Sequence, residues 1–193
     1  ASVLILSLFS IALSSQNPSV GGQNITTNLI KIPGNNPCMD PTAGYVNEGY
    51  DLVSYFQELP EDTSDYTLMP RGPLVGLEEF SVTLDGYTYL FASQENKEAF
   101  ESNPDMYKPQ FGGFCSFGVA YESIWEAETL DAPGNPMLYL KIEGKLYFFR
   151  SLDALDWFQR MGVKQGLELA ASRWEGWYGD QVAYDTNCFW NAF

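Results

Sequence analysis

From residue 79 the chain alternates apolar and polar positions. Phe80, Val82 and Leu84 fall at every second residue, Asp85-Gly86 interrupts, and Tyr87, Tyr89 and Phe91 resume the alternation. A period of two on both sides of an Asp-Gly pair predicts a β-hairpin. Ser93 then suits a helix N-cap with Glu95 in the first turn, and the pattern predicts a helix over 94–102 that Asn103-Pro104 ends. The same order returns 58 residues later: Leu138, Leu140 and Ile142, then Glu143-Gly144, Tyr147 and Phe149, Ser151, and a helix over about 152–161. Leu84/Ile142, Asp85/Glu143, Gly86/Gly144, Tyr89/Tyr147, Phe91/Phe149, Ser93/Ser151 and Phe100/Phe158 all match at that offset. This reads as an internal ββα repeat, with chance similarity of two ordinary hairpin–helix units as the alternative. Each unit has one apolar sheet face and one apolar helix stripe, too little to hold alone. The expected fold is therefore α+β, with two β-hairpin–helix units sharing one core. A further helix over about 163–176 carries Leu167, Ala170, Ala171 and Trp174 at helical spacing, and Trp174 and Trp177 read as packing residues.

The flanks read differently. Residues 1–15 begin with an uncharged apolar run too short to span a bilayer, which predicts part of a secretory signal; a buried strand is the alternative. Residues 16–48 are rich in Asn, Pro, Gly, Ser and Thr and predict an extended arm, in which Asn24-Ile25-Thr26 is a glycosylation sequon. Residues 49–178 form the expected domain, and 179–193 a tail ending in aromatic residues. A secreted glycoprotein, with no stable membrane insertion after signal removal, follows from these readings.

Charge narrows the partners. The chain has 25 Asp plus Glu against 10 Lys plus Arg, a formal net charge of -15. Such a surface repels phosphate backbones, so nucleic acid is not an expected partner. The acids are scattered and form no EF-hand loop. Histidine is absent, which excludes the usual Cys-His and Ser-His-Asp nucleophiles and every histidine zinc site. Three cysteines, Cys38, Cys115 and Cys188, cannot make a four-cysteine metal centre in one chain. Glu78-Glu79, Glu126/Glu128 and Asp153/Asp156 are carboxylate pairs, but spacing alone does not set two carboxyls across a cleft.

Four stretches in order, "GYDLVSYF", "YLFASQENKEAFESNPDMYKPQFGGFCSFGVA", "GNPMLYLKIEGKLYFF" and "AASRW", make the chain resemble the YHS-domain proteins over about residues 49–178. Some YHS and related domains bind heavy metals through cysteines of a "DPVCGM" and an "FCS-x-x-C" element. Here Ser54, Ala92 and Asn96 stand at or near those cysteine positions, so the resemblance points to a longer, cysteine-poor branch that keeps Cys115 and implies no settled activity. Cys38 and Cys188 lie in the two extensions, and an oxidising compartment favours a Cys38–Cys188 bridge; another pairing, or none, is the alternative. For Cys115 a small buried hydrophobe is the expectation, and a reactive or metal-binding thiolate at a helix start the alternative.

The expected function is a binding or structural module without catalytic activity or cofactor, whose partner is a small ligand or a protein. The alternative is metal handling of the copper type, with Cys115, a methionine such as Met106 or Met137, and carboxylates as ligands.

Overall fold

The computed structural model describes residues 36–57, 72–186 and 188. The expected signal segment, the first half of the arm and Asn24 lie outside them. Strands β1 (Leu77–Leu84) and β2 (Tyr87–Phe91) form one antiparallel hairpin, followed by helices α1 (Gln94–Ser102) and α2 (Pro104–Tyr107). A short helix α3 (Ser116–Tyr121) leads to a second hairpin, β3 (Asn135–Ile142) and β4 (Lys145–Phe149). A long helix α4 (Leu152–Tyr178) follows, interrupted at Gly162, whose φ of 101° and ψ of 106° lie outside the helical region. That break separates the two helical stretches read from sequence.

The two hairpins agree residue by residue. Leu77 faces Phe91, a bulge follows, and Ser81, Val82, Thr83 and Leu84 face Leu90, Tyr89, Thr88 and Tyr87. Fifty-eight residues on, Asn135 faces Phe149, a bulge follows at the same place, and Tyr139 to Ile142 face Phe148 to Lys145. Asp85 and Glu143 take φ of 53° and 51°, and Gly86 and Gly144 take 85° and 75°, the left-handed pair that tight hairpin turns require. Ser93 Oγ accepts from Asn96 N at 3.2 Å, and Ser151 Oγ accepts from Ala154 N at 3.1 Å. A bulge kept in register is a specific irregularity, so this agreement exceeds what two unrelated hairpins share.

The core has two lobes that meet at β4. Leu146 and Phe148 point into a cluster with Tyr87, Tyr89, Phe91 and Phe100. Tyr147 and Phe149 point the other way, among Phe114, Cys115, Val119 and Phe158. Alternate strand residues face opposite sides, so one strand serves both lobes. The arm differs from its expected extended form where it is described. Cys38, Met39 and Val46 are buried, and Val46–Gly49 is a tight left-handed turn with φ of 55° at Asn47 and 54° at Glu48. The sequence pattern gave no periodicity there because isolated turns carry none. Among the described residues no helix is long and apolar enough to cross a membrane.

Candidate functional site

The left-handed turn at 46–49 has a counterpart at 110–113, where Phe111, Gly112 and Gly113 take φ of 53°, 59° and 83°. This matches Asp51 with Cys115. The Asp51 N–H donates to the Leu74 carbonyl at 2.8 Å, and the Cys115 N–H donates to the Ala132 carbonyl, 58 residues on, at 2.7 Å. The Asp51 carboxylate is wholly buried and accepts from four donors: Val53 N at 2.8 Å, Ser54 N at 3.3 Å, Ala92 N at 2.9 Å and Asn96 Nδ2 at 2.6 Å. In the second unit the Cys115 thiol meets the backbone N–H groups of Phe117, Gly118 and Arg150, the counterparts of Val53, Ser54 and Ala92. Burial nevertheless pushes the thiol above its ordinary pKa, against those N–H groups and the Arg150 charge. Cys115 is thus a fully buried thiol in the niche that holds a carboxylate in the first unit.

Around α3 lies a polar network that sequence reading did not anticipate. Arg150 forms a two-pronged ion pair with Glu122, whose Oε2 also accepts from Trp125 Nε1 at 2.6 Å. Burial opposes ionisation of Glu122, but Arg150 and Trp125 outweigh it and hold the carboxyl below its usual range. Arg173, on α4, donates to the carbonyls of Val119, Glu122 and Trp125 at 2.7, 3.0 and 2.9 Å, and its guanidinium lies 4.5 Å from the Trp177 ring centroid. It gives charge-assisted partners to carbonyls at and just beyond the end of α3. Arg173→Ala is expected to destabilise the fold by about 2–4 kcal/mol, the scale for charge-assisted bonds plus a cation–π contact. Denaturant titration checks this; an unchanged midpoint would mean that water replaces the guanidinium without cost.

The open concavity lies beside these niches. A groove of about 410 Å³ runs between the segment 105–112, the end of α4 and the chain at 181–184. Phe111 and Trp174 line it with ring centroids 6.0 Å apart, and Trp174 is braced by Tyr178 at 4.5 Å and Phe114 at 6.1 Å. Gly112 is required here: its left-handed φ lets the Ala183 carbonyl pack where a Cβ would stand. Lys108 sits at the rim between Asp85 and Asp105, 3.3 Å from each. Gln110, Glu175 and Gln181 supply further polar groups. A few polar groups around an aromatic wall, at this volume, fit a small-molecule pocket.

The predicted residues are distributed as follows. Cys38 and Cys188 come within disulfide-bonding distance, their Cα atoms 4.9 Å apart. Asp131 stands beside them, its Oδ1 3.8 Å from the Cys38 sulfur and 3.4 Å from the Cys188 sulfur. Cys115 takes no part in that group, and Met106 and Met137 are about half exposed, each at 47%. Ser54 Oγ donates to the Asp51 carbonyl and accepts from Leu74 N, while Asn96 is buried against Asp51 and Gln57. With the Ala92 N–H, all three positions where the resemblance looks for cysteines therefore serve the Asp51 niche. Glu78, Glu79, Glu126, Glu128, Asp153 and Asp156 are all exposed. Glu78 accepts from the Tyr45 hydroxyl at 2.8 Å, and Asp156 pairs with Arg160 at 2.8 Å. Trp174 and Trp177 pack against the second lobe, as their spacing predicts. No family model, no curated protein and no solved structure matches the chain.

Proposed function

We propose that the chain is a secreted binding module of the YHS type, and that its ligand is a small molecule with a flat apolar face and a polar edge. The groove carries this reading. Its aromatic wall, Phe111 and Trp174, offers stacking area, while Lys108, Gln110, Glu175 and Gln181 offer hydrogen bonds of both signs. Lys108 is already balanced by two carboxylates, so the groove holds no free cation for a strongly anionic ligand among its described residues. The deeply buried tyrosines, Tyr55 and Tyr89, belong to packing, and burial pushes both hydroxyls far above their ordinary pKa. Native mass spectrometry of protein purified from its source tests the reading. A bound small molecule released on unfolding is the expected result. Stoichiometric copper by elemental analysis would replace it with the metal-handling alternative.

A further inference from the structure

Residues 183–186 and Cys188 are stitched to three parts of the molecule. The Tyr184 ring packs on Tyr87 at 4.8 Å and Tyr89 at 5.8 Å. Thr186 Oγ1 donates to the Asp40 carbonyl at 2.6 Å, and Cys188 meets Cys38. Between them stands Asp185. Its N–H donates to the Gly112 carbonyl at 3.2 Å, and its Oδ2 accepts from Gly134 N at 2.9 Å. Its Oδ1 lies toward Gly113, 3.1 Å from where a Cβ would be. One buried aspartate thus ties the tail to the second left-handed turn and to the residue before β3.

We propose that Asp185 is an acid-set latch: with its carboxyl neutral the tail is clipped against the 110–113 turn, and on ionisation the tail loosens. The geometry requires a response of this sign. An ionised carboxylate wants several donors or a cation. Apart from its own backbone N–H, Asp185 has one hydrogen-bond donor to its carboxyl among the described residues, against four for Asp51. Among the described residues, the elements packed on it supply no positive charge. The 110–113 turn and Gly134 carry no titratable side chain. The arm brings Asp40, whose carboxylate is held by Thr42, and the first left-handed turn brings Glu48, whose charge acts on Asp185 unfavourably. Burial raises the Asp185 carboxyl well above the usual carboxylate range; the Gly134 N–H and its own N–H pull it down without offsetting that, and Glu48 adds to the rise.

The folded carboxyl holds its proton to higher pH than the unfolded one. Its contribution is therefore complete below the unfolded carboxylate pKa and is lost as pH rises toward the folded value. Residues 181–184 form one wall of the groove, so loosening would widen it. That consequence rests on the binding reading above; the latch itself does not.

Amide hydrogen exchange on the full, oxidised chain tests the latch without any ligand. After correction for intrinsic exchange, protection of 181–186 should fall about tenfold per pH unit, the factor that one bound proton supplies, between the ordinary carboxylate range and the raised Asp185 value, and level off above it. The Asp185 carboxyl carbon, followed by NMR in the same protein, should titrate at the pH where that fall levels off. Asp185→Asn should flatten the profile, and Glu48→Gln should move the midpoint to lower pH. Tail protection that does not change with pH, or an Asp185 carboxyl that titrates in the ordinary range, would overturn the latch even if Asp185→Asn does not fold. A groove that binds nothing would sink the binding reading and leave these outcomes unchanged.

Discussion

Asp51→Ala is expected to destabilise the protein by about 3–5 kcal/mol, the scale for removing a buried carboxyl group on which several buried donors converge. Four N–H groups converge on this one carboxylate, from Val53, Ser54, Ala92 and Asn96. They come from three places in the chain: the turn after Asp51, the end of β2 and the first turn of α1. No side chain of alanine size can satisfy any of them, and the site is sealed from water. A loss near half of the fold's ordinary stability would follow. Asp51→Asn separates charge from geometry. Its oxygen can still accept on one side, but its NH₂ would face two donors on the other. An intermediate cost is expected. Urea titration of the three proteins measures the series. Equal stability of Asp51→Ala and wild type would show that the donors find other partners.

The second large effect belongs to the Cys38–Cys188 pair. The two residues are 150 apart in sequence, and a bond between them closes most of the described chain into one loop. In the chain-entropy account such a loop contributes about 3–5 kcal/mol, by restricting the unfolded ensemble. Cys188→Ser should lower the denaturation midpoint accordingly, and a dithiol reductant should lower that of the wild type to the same value. A wild-type midpoint insensitive to reductant would mean that the pair is not bonded in the native protein.

How much of this could be read from sequence follows from the physics of each feature. Both hairpins, both serine caps and the α1 boundaries were legible, because alternation, Asp-Gly or Glu-Gly turns and N-caps are local signals. The repeat was legible at an offset of 58 for the same reason, and the matched bulges strengthen it. Asn103-Pro104 ends α1 as read, and the same proline also starts α2, at the first position where its missing N–H costs nothing. The first half of each unit was not legible. Its offset is 64, and Asp51 and Cys115 share no chemistry that a sequence match would reward. Only the shared left-handed turns and the Leu74 and Ala132 carbonyls reveal the equivalence. Asp185 was invisible for another reason. Its role depends on Gly112 and Gly134, 73 and 51 residues away, in a tail with no periodicity. The groove unites three distant segments in the same way, and no local pattern announces it.

The resemblance to YHS domains placed cysteine positions at Ser54, Ala92 and Asn96. Ser54, the Ala92 N–H and Asn96 all gather around Asp51 instead. In this chain that locus is a closed structural niche, and the proposed binding surface is the groove at Phe111 and Trp174. The most direct test of that assignment is a screen of small neutral aromatic and polyol fragments followed by ¹H–¹⁵N NMR. The account predicts that shift changes cluster at Lys108, Phe111, Gly112, the Trp174 indole and Ala183. Saturable binding that clusters elsewhere, or no fragment that perturbs this group, would contradict it.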